Sequence, residues 1–564
     1  MADPFAAASK SHEPPVAVAQ VNHLPIVADF ARRLGLVEIV NRLVPVEMAV
    51  EPGVIVLGMV LDTLSGRSPL YHLESAFSDC DRAVLFGQEL PATTFSDDNV
   101  GRVMDRIFAA GTQRVFSTLS VAAMEQFALT AKHVHFDTTS VNVFGDYNTP
   151  DDAQAPFKIT HGYSKDKRPD LKQFVLSLLC VDGDIPIVGK QEDGNASDKK
   201  INHRVLGEVA RHMQEHGVAE DAFIYVADSA MVTEENLARA GAFITRLPAT
   251  YNECERVILD AIDTDQWLEV GRIAQTAPTK DRPGATYRVY EGSVNLYEKP
   301  YRAIVVHSSA HDKRRQKRLE RELAASLKAI TSQAKACEKK TLFCRADAEA
   351  AAQEAMAQPT TYHRLDVRVV ERPRYAPGRP KRNALRTPIA IEYGLAAEIL
   401  ADEEAIERRR KMAGCFVLLT NVEGEGASRY DAEQILRTYK EQYAIERNFS
   451  FLKDDQIVNA LFLKRPERIE VLGLILLISL LIWRLIEHVM RSQLQADETT
   501  VPGWDNKPTS RPSAYMLTWK FRGVMILCIG KTRQLTQPLS QTQAAFLSAL
   551  KIPQERFIHP STSG

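Results

Sequence analysis

The sequence has no cysteine pair at C-x-x-C spacing, no strong charge of one sign and no uninterrupted apolar run of the ~20 residues a membrane span needs. Its seven cysteines, Cys80, Cys180, Cys254, Cys337, Cys344, Cys415 and Cys528, are scattered through 564 residues. An odd, unpatterned set excludes a disulfide framework and points to reduced thiols in a cytosol, and no zinc site is expected. A formal charge of -2 and a pI near 6.7 exclude a globally basic nucleic-acid binder, so any DNA surface must be a local patch. The opening MADPFAAASKSHEPP lacks the charged start and apolar stretch of a secretory signal and reads as a disordered lead-in over residues 1–20. The most apolar stretch, Val471 to Trp483, gives way to Arg484 well short of the ~20 residues a spanning helix needs. It reads as a buried core helix, and no membrane partner is expected.

The chain is long enough for roughly three or four domains. Residues 21–130 are patterned as helices, with Gly35 between two short ones and Ser96 placed to cap DDNVGRVMDRIF, where Asp97 and Asp98 face the positive helix end. At Lys132 the pattern turns to β in KHVHFDTTSVNVF and continues through QFVLSLLCVDGDIPIVGKQ, whose Asp182-Gly183 pair marks a hairpin. A helix, INHRVLGEVARHMQEHG, leads to the strand AFIYVADSA, then Thr233 caps EENLARAG before the strand AFITRLP. From 251 to 412 the alternation breaks into strand-like pieces around a charged helical stretch, which reads as an insertion. The sheet pattern resumes at 413 with GCFVLLTNV, and Asp431 caps a long helix, AEQILRTYKEQYAIERNFSFLKD. Residues 493–564 form a Pro- and Ser-rich tail ending in helix.

Phosphodiester chemistry needs a deprotonated attacking oxygen and neutralisation of phosphate charge, which two magnesium ions on a few rigidly held carboxylates supply. Asp137 and Asp228, each near a strand end, suit that task. Glu446 lies on the long helix in a stripe with Tyr439, Gln442 and Lys453, all within about 60° of one another around the axis. An aromatic, an amide, a carboxylate and a cation make a poor core face.

Those residues carry a resemblance. The segment from Tyr439 to Lys453 resembles the Y-x2-R-x3-E-x6-K signature of bacterial insertion-sequence transposases of the DDE superfamily, with Gln442 in place of the arginine. The surroundings of Asp137 (HFDTTSV) and Asp228 (VADSAMVTEENL), and the stretch HGYSKDKRPDLKQFVLSLL, are similar to that family as well. The resemblance implies an α/β protein with an RNase H-like catalytic core, a mixed sheet flanked by helices, in two parts (131–250 and 413–492). A β-rich insertion (251–412) would split it, a helical N-terminal domain (21–130) would recognise DNA ends, and a helical C-terminal region (493–564) would serve assembly.

It further implies Asp137, Asp228 and Glu446 as ligands of two Mg2+ ions, with Mn2+ as a substitute, and Tyr439 and Lys453 as DNA contacts near the cleaved end. Transposon-end and target DNA would be the partners of a homodimer acting in the nucleoid. Gln442 puts a neutral donor where the family places a phosphate-binding cation, with Tyr443 and Arg447 as local substitutes. Phosphate contacts also need surface cations. Lys165 and Arg168 in SKDKRPDLK, the run HDKRRQKRLER, and Arg379, Lys381 and Arg382 in RPRYAPGRPKR supply them. Trp267 and Tyr290 are candidate aromatics for stacking on a flipped base, with core packing as the plainer role. The alternatives are a nuclease of the same fold without strand transfer and a silent end-binding protein. A phosphatase with Asp137 as nucleophile is disfavoured because position 139 is Thr.

Overall fold

The computed structural model describes residues 16–559 apart from 47, 49, 67–71, 144–146, 148–154, 183, 216–221, 275–283, 359–360, 379–386, 424–429 and 455–464. It divides into two compact units, one formed by the chain up to Thr245 and from Thr438 onward, the other by Arg246–Arg437.

The first unit begins with a strand, β1 (Val16–Gln20), inside the stretch expected to be a lead-in; it pairs antiparallel with Met525–Ile529. Helices follow as the apolar spacing predicts: α1 (Leu24–Arg33), α2 (Leu36–Leu43), α3 (Pro52–Ser65), α4 (Leu73–Ser78), α5 (Arg82–Phe86), α6 (Asp97–Ala110) and α7 (Thr112–Gln126). Gly35 divides α1 from α2 at φ +71°, a conformation that favours glycine. Ser96 stands at the N-cap of α6 but makes no capping hydrogen bond; Asp97 and Asp98 fill the first turn instead, where their charge meets the helix dipole.

The sheet of this unit is built from β2 (His133–Val143), β3 (Lys172–Val181), β4 (Ile185–Glu192), β5 (Ile224–Val226) and β6 (Phe243–Leu247), with α8 (Asp198–Glu215) and α9 (Glu234–Arg239) in its connections. Its order is β4-β3-β2-β5-β6. The first three strands are antiparallel, with Asp137 opposite Leu178. Strands β5 and β6 run parallel to β2, with His135 opposite Val226 and Tyr225 opposite Phe243. Thr233 caps α9 through the N–H of Asn236. In the β3–β4 turn, Asp182 takes a positive φ of 47°; Gly183 lies outside the described residues.

The second unit holds α10 (Asn252–Thr264), β7 (Leu268–Arg272), β8 (Thr286–Leu296), β9 (Lys299–Ser308), α11 (Ser309–Glu338), β10 (Thr341–Leu342), α12 (Arg345–Met356), β11 (His363–Arg374), β12 (Ala390–Ala401), α13 (Glu403–Met412) and β13 (Cys415–Thr420). This is the β-rich segment with a charged helix that the sequence pattern predicts. Its extent differs from the expected end at 412. Strand β13, where the sequence pattern reads as sheet again, pairs antiparallel with β9, Leu418 opposite Ile304. Strands β10, β12 and β11 form a second sheet, covered by α11 and α12 around Ile330, Ala348, Leu365 and Leu395.

The chain then forms α14 (Ala432–Glu441), α15 (Tyr443–Leu452), α16 (Pro466–Ala496), β14 (Val501–Pro502), β15 (Pro508–Thr509), α17 (Ala514–Lys520), β16 (Met525–Ile529), β17 (Thr532–Leu535) and α18 (Gln541–Leu550). Asp431 and Gln434 cap α14 reciprocally, each side chain taking the other's backbone N–H. The tail carries strands as well as helix, because β16 closes onto β1.

Helix α16 is the centre of the first unit. It is long and apolar enough to cross a membrane, with a mean hydropathy of 2.4 in its best window, yet 89% of that window is buried inside the protein. It packs on α1, α3, α6, α7, α18 and β4. Gly189 of β4 permits the approach: a Cβ there would lie 2.6 Å from both terminal methyls of Leu477.

Candidate active site

Asp137 sits mid-strand on β2, and Asp228 follows β5, the parallel neighbour of β2. Asp228 is held by a turn that it caps itself, its Oδ1 accepting the N–H of Ala230 at 3.0 Å. Asp137 Oδ1 accepts the N–H of Thr138 at 2.7 Å. In both residues Oδ2 has no hydrogen-bond partner among the described residues, which leaves one oxygen of each for a cation.

Two further groups complete this cluster, and the motif search missed one of them. Asp198, at the start of α8, accepts the hydroxyl of Thr138 at 2.8 Å. Lys165 donates to the carbonyl and hydroxyl oxygens of Thr138, both at 2.7 Å, and its Nζ lies 3.5 Å from Asp198. Burial pushes the Asp137 carboxyl up to about 7, with Lys165 pulling it down and Asp228 and Asp198 adding to the rise. Burial raises Asp228 too, helped by Asp198 and opposed by the Ala230 N–H and Lys165. The buried charges repel one another, so the site favours a bound cation or a retained proton. An oxygen-only donor set of this kind fits a hard divalent ion such as magnesium.

The loop carrying Lys165 is fixed by close backbone packing. Thr160 and Gln173 exchange backbone hydrogen bonds, and the Gln173 amide donates to the carbonyls of Gly194 and Tyr163. A Cβ on Gly162 would stand 2.0 Å from the Gly194 carbonyl oxygen, so only glycine fits. His161, on the same loop, is exposed.

Residues 16–121 match DUF4277, a domain of unknown function. No curated protein matches the chain. The matched segment covers β1 and the helices through most of α7; Asp137, Asp228 and Glu446 lie outside it.

The third carboxylate of the sequence reading, Glu446, is exposed on α15, and its carboxylate has no hydrogen-bond or ion-pair partner among the described residues. It is not among the groups that shift Asp137 or Asp228. Among the described residues, the ligand-type side chains whose donor atoms all fall within 4.8 Å of one another are His133, His135 and Glu441, a group not singled out from the sequence. The H-x-H spacing on a strand was the available signal.

The expected DNA contacts separate into three kinds. Gln442 faces the backbone of β2, its Nε2 3.5 Å from the Phe136 carbonyl, and Tyr439 is half-buried one turn earlier. Lys453 pairs with Asp166 at 2.8 Å and Arg168 forks onto Asp170, so each has an intramolecular partner. Arg447 reaches Asp184 at 3.1 Å beside Arg484 and Arg491 while its side chain stays 41% exposed. Tyr443 is exposed. Arg379, Lys381 and Arg382 lie outside the described residues.

In the second unit, the charged run on α11 contributes Arg315 and Arg318 to a cavity of about 100 Å³ also lined by Arg246 and Arg409. Trp267 packs near Tyr290, ring centres 6.3 Å apart, with the Arg288 guanidinium over its face.

Proposed function

We propose that the chain is a DNA transposase of the DDE type, cleaving at transposon ends and transferring the freed 3′ hydroxyl to target DNA. The observation that carries this reading is the pair Asp137 and Asp228. They come from neighbouring parallel strands, sit half-buried and close enough for Asp228 to raise the Asp137 carboxyl, and each keeps one carboxylate oxygen without a hydrogen bond among the described residues. A mixed sheet flanked by helices supports the RNase H-like core that the family resemblance implies.

Asp137, Asp228 and Glu446 would hold two magnesium ions, which when bound activate the attacking oxygen and neutralise phosphate charge. The protein's own contribution is rigidity and a dry setting: backbone N–H groups orient both aspartates, and burial keeps the carboxylates unsatisfied until a cation enters. Lys165 holds Thr138 and Asp198 beside them. Glu446 is free to turn inward on α15, and Lys453 can exchange Asp166 for a DNA phosphate.

The test is cleavage and joining, with Mg2+ and the full chain, of duplexes made from the DNA that flanks the gene on either side. Asp137→Asn, Asp228→Asn and Glu446→Gln should each lower cleavage by about 100- to 1,000-fold, in the range of losing a principal electrostatic group, while end binding stays near wild type. Near-normal cleavage by any variant removes that residue from the set. Cleavage without joined product would make the chain a nuclease.

A further inference from the structure

We propose that His133, His135 and Glu441 form a second metal site, one for a zinc-type transition ion, separate from the aspartate pair. Strand alternation puts His133 and His135 on the same face of β2, and Glu441 ends α14 against them. Glu441 Oε2 lies 3.1 Å from His133 Nδ1 and 3.5 Å from His135 Nε2. Bonds of 2.0–2.1 Å in a tetrahedron separate ligand atoms by about 3.4 Å. All three donor atoms already fall within 4.8 Å of one another, so small side-chain rotations close the site.

His135 supplies an independent sign. Its side chain is fully buried, Nδ1 has no hydrogen-bond partner among the described residues, and Nε2 meets Glu441 Oε2 only at the long distance of 3.5 Å. Burying so weakly satisfied an imidazole is costly, and a metal on Nε2 would relieve that cost. Two imidazoles and one carboxylate suit zinc, whereas magnesium prefers oxygen donors. The fourth position opens toward a cavity of about 520 Å³ lined by His133, Glu441, Asp182, Lys440 and Tyr443, with room for water or a ligand group.

The ion would tie the end of α14 to β2 one residue before Gln442, where α15 and Glu446 begin. That consequence for Glu446 rests on the transposase reading; the binding of zinc does not. No cysteine takes part, so cysteine spacing gave no warning of it.

The experiment is calorimetric titration of the chelator-stripped full chain with Zn2+, paired with the visible spectrum of the Co2+-loaded protein. The expected result is one tight equivalent with a tetrahedral Co2+ spectrum. Affinity should fall about 100-fold or more in His133→Ala and Glu441→Gln, both checked for an unchanged far-ultraviolet circular dichroism spectrum. Asp137→Asn combined with Asp228→Asn should leave Zn2+ binding unchanged. Absence of binding by the wild type, unchanged affinity in both ligand variants, or loss of Zn2+ in the double aspartate variant would each overturn the site. Loss of DNA cleavage with Zn2+ binding intact would count against the transposase reading alone.

Discussion

A buried carboxyl that titrates near 7 is held at a cost which a cation or a proton relieves, and Asp137 is such a group. In the unfolded chain an aspartate ionises near 3.9. The folded value is raised, so the native state keeps its proton while the unfolded state loses it, and stability declines as pH rises from about 4 through 7. Asp137→Asn keeps an oxygen for the Thr138 N–H and cannot ionise. In chelator, its melting temperature is expected to exceed that of the wild type at pH 8 and to converge with it near pH 4. Magnesium should then raise the wild type and leave the variant unmoved. A variant less stable at both pH values would mean that Asp137 holds the fold through contacts of its own. The sequence marked Asp137 and Asp228 as strand-end acids; their shared burial and the presence of Asp198 depend on where α8 begins, which residue spacing does not encode.

At the scale of elements, the length of α14 and α15 was legible in their apolar spacing, but the break between them was not. No proline or glycine marks it. Gln442 keeps helical angles (φ −55°, ψ −24°), while Gln442 and Ile445 donate to carbonyls three residues back, tightening the turn. The pinning of α15 was also hidden, because it depends on residues remote in sequence. Arg484 of α16 donates to Asn448 at 2.7 Å and to Glu487 at 2.8 Å; Arg491 shares Glu487, and Arg447 and Arg491 reach Asp184 in the β3–β4 turn. Burial raises the Glu487 carboxyl, but Arg484 and Arg491 more than offset it and hold the group below its usual range. Arg484→Leu strands these acids, and breaking a buried ionic group in this way costs about 3–5 kcal/mol. Urea unfolding of the variant is expected to show a loss of that size; a change below about 1 kcal/mol would mean the network is replaceable by apolar packing. Arg447, read from sequence as a DNA contact, also pairs with Asp184 of this network.

For the whole molecule, the sequence exposed the order of helical and β-rich stretches better than their boundaries. The long gap between Asp228 and Glu446 announced an inserted unit, and the apolar run after Val471 announced a core helix. Both are present, the helix as the buried axis of the first unit. What escaped was pairing at a distance, that of β1 with β16 across most of the chain. Such pairings are set by which apolar edges meet, and short strands advertise no partner. The proposed chemistry likewise depends on distant parts meeting, since Asp137 and Asp228 are gathered by the sheet while Glu446 arrives from beyond the inserted unit. The most direct test is anomalous diffraction from crystals of the full chain bound to end DNA and loaded with Mn2+. The transposase account predicts manganese peaks between Asp137 and Asp228 with the Glu446 carboxylate turned in as a ligand. Peaks confined to His133, His135 and Glu441, with none at the aspartates, would contradict it.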